Sequence, residues 1–233
     1  MKKDIVSALL LFVIVFSVNA QVDLQFANLD AIMMNQGASK VYRNSKNGQG
    51  KIEGTPYNQQ MFAIAKVENV TQKYYMRYNV YNDEFEFITP KNDTLVLDRI
   101  NDFSKITFVG TNKKYVLLDY INSSGKLVKG YLIDLHSKGS SALYTKEKVS
   151  FYDGKIAKTS LEKDMPARFV KSENEYYFKN KENAIIEFPD GKKQLTKLFP
   201  DKKSNIETFF KENKIDFDLD SDRKKIIDFL SSM

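Results

Sequence analysis

The stretch Met76-Arg77-Tyr78-Asn79-Val80-Tyr81-Asn82-Asp83-Glu84-Phe85-Glu86-Phe87 decides the fold class. Met76, Tyr78 and Val80 alternate with Arg77, Asn79 and Tyr81, and Phe85 and Phe87 alternate with Glu84 and Glu86. A period of two sends successive side chains to opposite faces of an extended strand, so each run carries one apolar face. A sheet with one wet face follows. Outward from this stretch, between about Ala63 and Phe188, short runs rich in Val, Ile, Tyr, Phe and Thr are separated by clusters of Asn, Asp, Gly, Ser and Lys. That rhythm predicts many strands. Lys114 to Ile121 and Leu127 to Leu135 flank Asn122-Ser123-Ser124-Gly125-Lys126, a strand, turn and strand that predict an antiparallel hairpin. Further punctuation at Asp153-Gly154, Glu173-Asn174 and Pro189-Asp190-Gly191 extends the pattern to a meander, without the alternation of strands and helices that parallel sheets require.

The period changes in the tail. Ile206, Phe209 and Phe210 are spaced for one helix face, and Ser204 followed by Glu207 reads as a capping box, predicting a helix from about Asn205 to Asn213. A second helix begins after Asp220, with Asp222 in its first turn and Ile226, Ile227 and Leu230 on one stripe. A weaker helical stretch covers Lys192 to Phe199. The fold class is therefore mainly β (α+β): an antiparallel meander sheet or partly open barrel with a C-terminal helical segment. The chain divides into a leader over residues 1–20, an N-terminal extension and linker over 21–54, a β-rich domain over 55–190 and a helical segment over 191–233 that packs on it. Gly54-Thr55-Pro56-Tyr57 admits the chain to the main domain, since proline fixes its own φ and drives its predecessor into an extended conformation.

The leader has the anatomy of a cleavable export signal: Lys2 and Lys3, an apolar run from Ala8 to Phe16, then Val18-Asn19-Ala20. The run falls short of the roughly 20 residues that span a bilayer, so cleavage is expected between Ala20 and Gln21, leaving no integral membrane protein. The expected location is the periplasm or the exterior. The chain has no cysteine, which excludes disulfides, thiolate metal sites, thiol nucleophiles and attachment of lipid to an N-terminal cysteine. The fold must live on its core. The formal charge of +6 falls by one when a leader with two lysines and one aspartate is removed. Acids and bases are interspersed, so the excess reads as a solvated surface and not as a nucleic-acid footprint, though it favours anionic headgroups or acidic polysaccharide.

The quoted stretch, standing about twenty residues after Gly54-Thr55-Pro56-Tyr57, together with Pro166 to Phe169, Tyr176 to Phe178 and Ile206 to Leu230, resembles a family of exported proteins of Bacteroidota-type bacteria. The resemblance covers most of the mature chain and implies an envelope location in a Gram-negative cell. That family has no established activity, so it implies no catalytic residue.

Four constellations could carry chemistry. Asp216, Asp218, Asp220 and Asp222 stand two apart like calcium ligands, but Ser221 occupies the sixth position where glycine is needed and Ile227 the twelfth where glutamate closes the site. They are expected to solvate a connection and cap the next helix, so no metal is called for. Glu84 and Glu86 share a strand face and could form an acid pair, but glycosidase carboxylates face each other across a cleft, and a solvated sheet face is the simpler reading. His136 is the only histidine, beside Ser137 and without a Gly-x-Ser-x-Gly elbow, and reads as a strand-end residue. Tyr74, Tyr75, Tyr78 and Tyr81 with Phe85 and Phe87 are the densest aromatic region, and Tyr75, Tyr78 and Tyr81 are the candidate ligand platform.

Neither a cofactor cradle nor a nucleophile with its base is recognisable. The sequence therefore predicts an exported, non-catalytic envelope protein that binds a partner, another envelope protein or a glycan, or contributes structurally. The alternatives are a hydrolase of envelope polymers and a carrier of an apolar ligand inside an incomplete barrel.

Overall fold

The computed structural model describes residues 38–40, 52–159, 161–180 and 182–232. The export signal, with Ala20 and Gln21, lies outside the described residues. Eleven strands form one antiparallel, unclosed sheet: β1 (Ala38–Lys40), β2 (Ala63–Val67), β3 (Lys73–Asn79), β4 (Glu84–Ile88), β5 (Thr94–Leu97), β6 (Lys105–Phe108), β7 (Lys113–Ile121), β8 (Leu127–Lys138), β9 (Ser141–Tyr152), β10 (Arg168–Lys179) and β11 (Ile185–Glu187). Their order is β1-β5-β4-β3-β2-β6-β7-β8-β9-β10-β11. Two meanders thus run in opposite senses from a shared seam where β2 pairs with β6. Ala38–Lys40, inside the stretch read as a linker, adds an edge strand to β5.

Turn chemistry explains the meander. Asn69, Asp83, Asn92, Asn112 and Asn183 all adopt positive φ, which short polar side chains tolerate better than most residues. Asn122 Oδ1 accepts hydrogen bonds from the backbone N–H groups of Ser124 and Lys126 at 3.1 and 3.0 Å, closing the expected β7–β8 hairpin. Glu173-Asn174 is not a turn. It is a bulge inside β10, between Ser172 and Glu175, where the ladder to β9 shifts register.

One face of the curled sheet holds the main core, in which Tyr78, Phe85, Tyr115 and Tyr131 pack ring against ring at centroid distances of 4.8 to 6.2 Å. Phe103, carried by the link from β5 to β6, is fully buried among them. Farther along the long strands, Leu143 and Phe178 receive the helices α1 (Lys192–Leu198), α2 (Lys203–Glu212) and α3 (Asp220–Ser232). Leu195, Ile206, Ile226 and Ile227 are completely buried there. Each such aliphatic side chain contributes about 1.5–3 kcal/mol by burial. The capping box does not form: α2 starts at Lys203, one residue before Ser204, and no side chain caps it. A smaller core on the opposite face packs Tyr120 against Tyr177, with Leu132 and Ile185. No helix among the described residues is long and apolar enough to cross a membrane.

The two meanders are tied at the β3–β4 turn. Asp83 Oδ1 accepts hydrogen bonds from the Tyr78 hydroxyl, from Tyr131 N–H at 3.2 Å and from Lys146 Nζ at 3.0 Å, while Arg99 lies 3.4 Å from Oδ2. Tyr131 and Lys146 belong to β8 and β9, so one carboxylate joins three strands of the two halves. Gly130 makes room for it, because a Cβ there would stand 2.4 Å from Asp83 Oδ2. Asp83→Ala is expected to cost about 3 kcal/mol in urea denaturation, since it strands Lys146 and the Tyr78 hydroxyl. Gly130→Ala should destabilise through the same carboxylate, and a loss under about 0.5 kcal/mol for both would sink this account.

Candidate functional site

The β10 bulge does more than bend its strand. By lifting Glu173 and Asn174 out of the ladder it opens one wall of a surface recess of about 600 Å³. β11 and the Phe188-Pro189-Asp190 exit form a second wall, and the α2–α3 connection, with Phe217 and Asp218, forms a third. Carboxylates of Glu173, Glu175, Glu187, Asp190 and Asp218 surround the rings of Tyr176, Phe188 and Phe217.

Several of these groups are held firmly. Arg223, at the start of α3, lies with its guanidinium 3.6 Å over the Tyr176 ring and donates to the Asp218 carbonyl at 3.0 Å and to Asp220 Oδ1 at 2.9 Å. Glu175 accepts from Lys148 Nζ at 2.5 Å and from the Tyr177 hydroxyl at 2.9 Å. Among the described residues no cation or hydroxyl pairs with Glu187, and its carboxyl is pushed above the usual range, first by desolvation and then by the negative charges of Asp190 and Glu175. The recess is therefore suited to a cationic group set over an apolar body. It also sets Glu187, whose carboxyl is pushed upward, in the same recess as a second carboxylate, Glu175.

The predicted platform does not assemble. Tyr78 is 5% exposed and its ring belongs to the core, whereas Tyr75 and Tyr81 are 55% and 48% exposed. Tyr75 stands an odd number of positions from Tyr78 in the same strand, so the pleat sends the two to opposite faces. Tyr81 lies beyond the end of β3, against Phe151 and Phe169. Tyr74, Phe85 and Phe87 are core residues.

Glu86 is not on a solvated face: it is 1% exposed. Its Oε2 accepts from Arg77 Nε at 2.8 Å and Nη2 at 2.5 Å, and its Oε1 from the Tyr57 hydroxyl at 2.7 Å. Arg77 is itself sandwiched between the Tyr57 and Phe62 rings, at 4.1 and 4.3 Å. Glu84 instead accepts from Asn82 Nδ2 at 2.9 Å. Glu147 repeats the buried device with Lys113 and with the Tyr115 hydroxyl, which donates at 3.0 Å. Burial, and then the adjacent carboxylates, push the Tyr78 and Tyr115 hydroxyls well above their ordinary pKa, so they act as donors.

The aspartate run is occupied by its own loop. Asp222 Oδ2 accepts from Asp216 N–H at 2.9 Å and its Oδ1 from Lys225 at 2.7 Å, bonds that hold the carboxyl below the usual range. Asp216 Oδ1 accepts from Asp218 N–H at 2.9 Å. His136 sits inside β8 at a bulge, and its Nε2 lies 2.7 Å from Asp228 Oδ1 of α3. That contact, with Lys138 at 3.5 Å, tethers the last helix to the sheet and holds the Asp228 carboxyl below the usual range.

Sequence reasoning missed the recess because its residues are spread from Glu173 to Arg223. Two signals were present, Glu173-Asn174 and Pro189-Asp190, and both read as turn punctuation. No family model, no curated protein and no solved structure matches this chain.

Glu86→Ala should cost about 3–5 kcal/mol, because it leaves the Arg77 charge buried without its carboxylate and takes an acceptor from the Tyr57 hydroxyl; replacing both members by Arg77→Met and Glu86→Leu should cost less than the single change. Chemical denaturation of the cycle checks this, and additive losses would argue against a coupled pair. For Asp228, whose folded pKa is depressed, the stabilisation is present above its unfolded pKa near about 4 and disappears as pH falls through the folded value. The stability gap between the native chain and Asp228→Asn should therefore be seen at pH about 5 and shrink steadily as the solution is acidified below about 4. A gap unchanged across that range would rule out the carboxylate as its source.

Proposed function

We propose that this chain is an exported protein of the bacterial envelope, cleaved between Ala20 and Gln21, that acts by binding a partner and not by catalysis. The recess between β10, β11 and α3 is its docking site, and the partner presents a basic segment. The observation that carries this reading is the contrast between two sets of acids. Asp83, Glu86 and Glu147 are each matched inside the fold by a cation and a tyrosine hydroxyl. In the recess Glu175 is matched in the same way, by Lys148 and the Tyr177 hydroxyl, and Asp190 is held by Gln194, whereas among the described residues Glu173, Glu187 and the Asp218 carboxylate have no ion-pair partner and line an open space with Tyr176, Phe188 and Phe217. Desolvated carboxylates next to aromatic faces attract ammonium and guanidinium groups, and charge of one sign in a cleft steers the opposite sign toward it.

The export pattern of residues 1–20 supports the location. Ring packing by Tyr78, Phe85, Tyr115 and Tyr131 fills the curled sheet, and Ile206, Ile226 and Leu230 pack flush beneath the helices, which favours a binding surface over an apolar carrier.

A second reading is hydrolysis of an envelope polymer, favoured by one observation: Glu187, whose carboxyl is pushed upward chiefly by desolvation, shares the recess with Glu175, the kind of carboxyl pair that acid and base catalysis needs. Native mass spectrometry of untagged protein recovered from its own envelope, alongside Glu173→Gln with Glu187→Gln, separates the two. Partner binding predicts a chain beginning at Gln21, a bound basic polypeptide, and its loss in the double variant with an unchanged fold. Turnover of purified envelope polymer that Glu187→Gln abolishes would replace binding by hydrolysis.

A further inference from the structure

A second recess, of about 730 Å³, lies between α1 and α2 and is lined by Lys192, Lys193, Thr196, Lys197, Pro200, Lys203 and Glu207. We propose that this groove binds an anionic, carboxylate-bearing polysaccharide. The inference rests on a different surface from the acidic recess and does not require that reading.

Helical geometry gathers the charges. At about 100° per residue, Lys192, Lys193, Thr196 and Lys197 share one arc of α1, and Leu195, completely buried, fixes the opposite side against the core. The short 3₁₀ turn Pro200–Lys202 then reverses direction and brings Lys203 of α2 to the facing wall. All four lysines are exposed.

Little inside the fold neutralises them. Glu207 is the one acid of the groove, and it stands 4.0 Å from Lys203. Among the described residues no carboxylate lies within ion-pair distance of Lys192, Lys193 or Lys197. Asp190, nearest in sequence, is held instead by Gln194, whose Nε2 donates to it at 3.1 Å from outside the lysine arc. The other lysine-lined recess, with Lys66, Lys105 and Lys114, differs because Lys105 is paired with Glu68 at 2.8 Å.

The chemistry of the groove selects among anions. It contains lysine and no arginine, so it offers mobile point charges and not the rigid fork that grips a single planar anion. Charge repeated along a flexible chain suits such a surface better than one isolated group. The lining presents no large aliphatic or aromatic side chain for insertion among lipids, which favours a soluble polyanion over a bilayer. This choice of anion rests on the export proposed above, which would put the chain among acidic glycans and away from nucleic acid.

The test is isothermal titration of the full mature chain with alginate, a polymer of uronic acids, at low salt. Binding is expected, weakening in high salt, and Lys193→Gln with Lys197→Gln should weaken it on the order of tenfold. Lys66→Gln with Lys114→Gln removes the same charge elsewhere and should leave affinity within about twofold. Equal losses in the two double variants would overturn the proposal in favour of net charge, as would absence of binding to alginate. Binding to vesicles rich in phosphatidylglycerol that depends on Lys193 and Lys197, without binding to alginate, would overturn it in favour of a membrane surface. Circular dichroism of the variants, all at exposed positions, guards against loss of fold.

Discussion

Asp83 sits at the point where the two meanders must agree. It occupies a left-handed position in the β3–β4 turn, and its carboxylate reaches Tyr131 N–H and Lys146, which belong to strands four and five places away from β3 in the sheet. Hydrogen bonding between neighbouring strands sets local register but leaves an open sheet free to twist and flatten. A contact that spans non-neighbouring strands removes that freedom, and it does so only if the partner strand offers no side chain in the way. Gly130 meets that condition. The ring cluster of Tyr78, Phe85, Tyr115 and Tyr131 can then close underneath, because the curvature that Asp83 holds brings their strands face to face.

The same chemistry recurs at three more places. Glu86 with Arg77 and Tyr57, Glu147 with Lys113 and Tyr115, and Glu175 with Lys148 and Tyr177 are each a carboxylate that accepts from one cation and one tyrosine hydroxyl. Burying a charge pair gains little over burying apolar groups, but breaking one is expensive, so such pairs specify an arrangement more than they add to stability. In a chain without cysteine, where no disulfide can fix long-range register, such pairs link segments distant in sequence. Tyrosine suits the role because its ring fills the core while its hydroxyl reaches the acid. The chain has thirteen tyrosines and no tryptophan, a preference that fits this use.

The helical cap separates charge. Its junction with β10 and β11 collects carboxylates, whereas the groove between α1 and α2 collects lysines. With an overall excess of only a few positive charges, the molecule is better described as bipolar than as basic. Gln194 keeps Asp190 from the lysine arc, and Arg223 is spent on Tyr176 and Asp220 instead of on the acids of the recess. Two recesses lined by charges of opposite sign thus lie on one helical cap.

The alternation of Met76, Tyr78, Phe85 and Phe87, the hairpin around Gly125 and the stripe of Ile226, Ile227 and Leu230 were legible in the sequence, because each depends on the backbone period of one local segment. Tertiary structure alone decided which polar residues were buried. Glu86 has the sequence context of a solvated strand residue, and its burial is made tolerable by Arg77 across the β3–β4 ladder and by Tyr57 arriving from outside it. Glu173-Asn174 could equally have been a turn until β9 continued past it and made it a bulge. Tyr75, Tyr78 and Tyr81 are close in sequence yet face different surroundings, while Glu173, Glu187 and Arg223 are far apart and line one recess. Periodicity is carried by neighbours along the chain, whereas desolvation and charge pairing depend on distances through space that strand order and sheet curvature set.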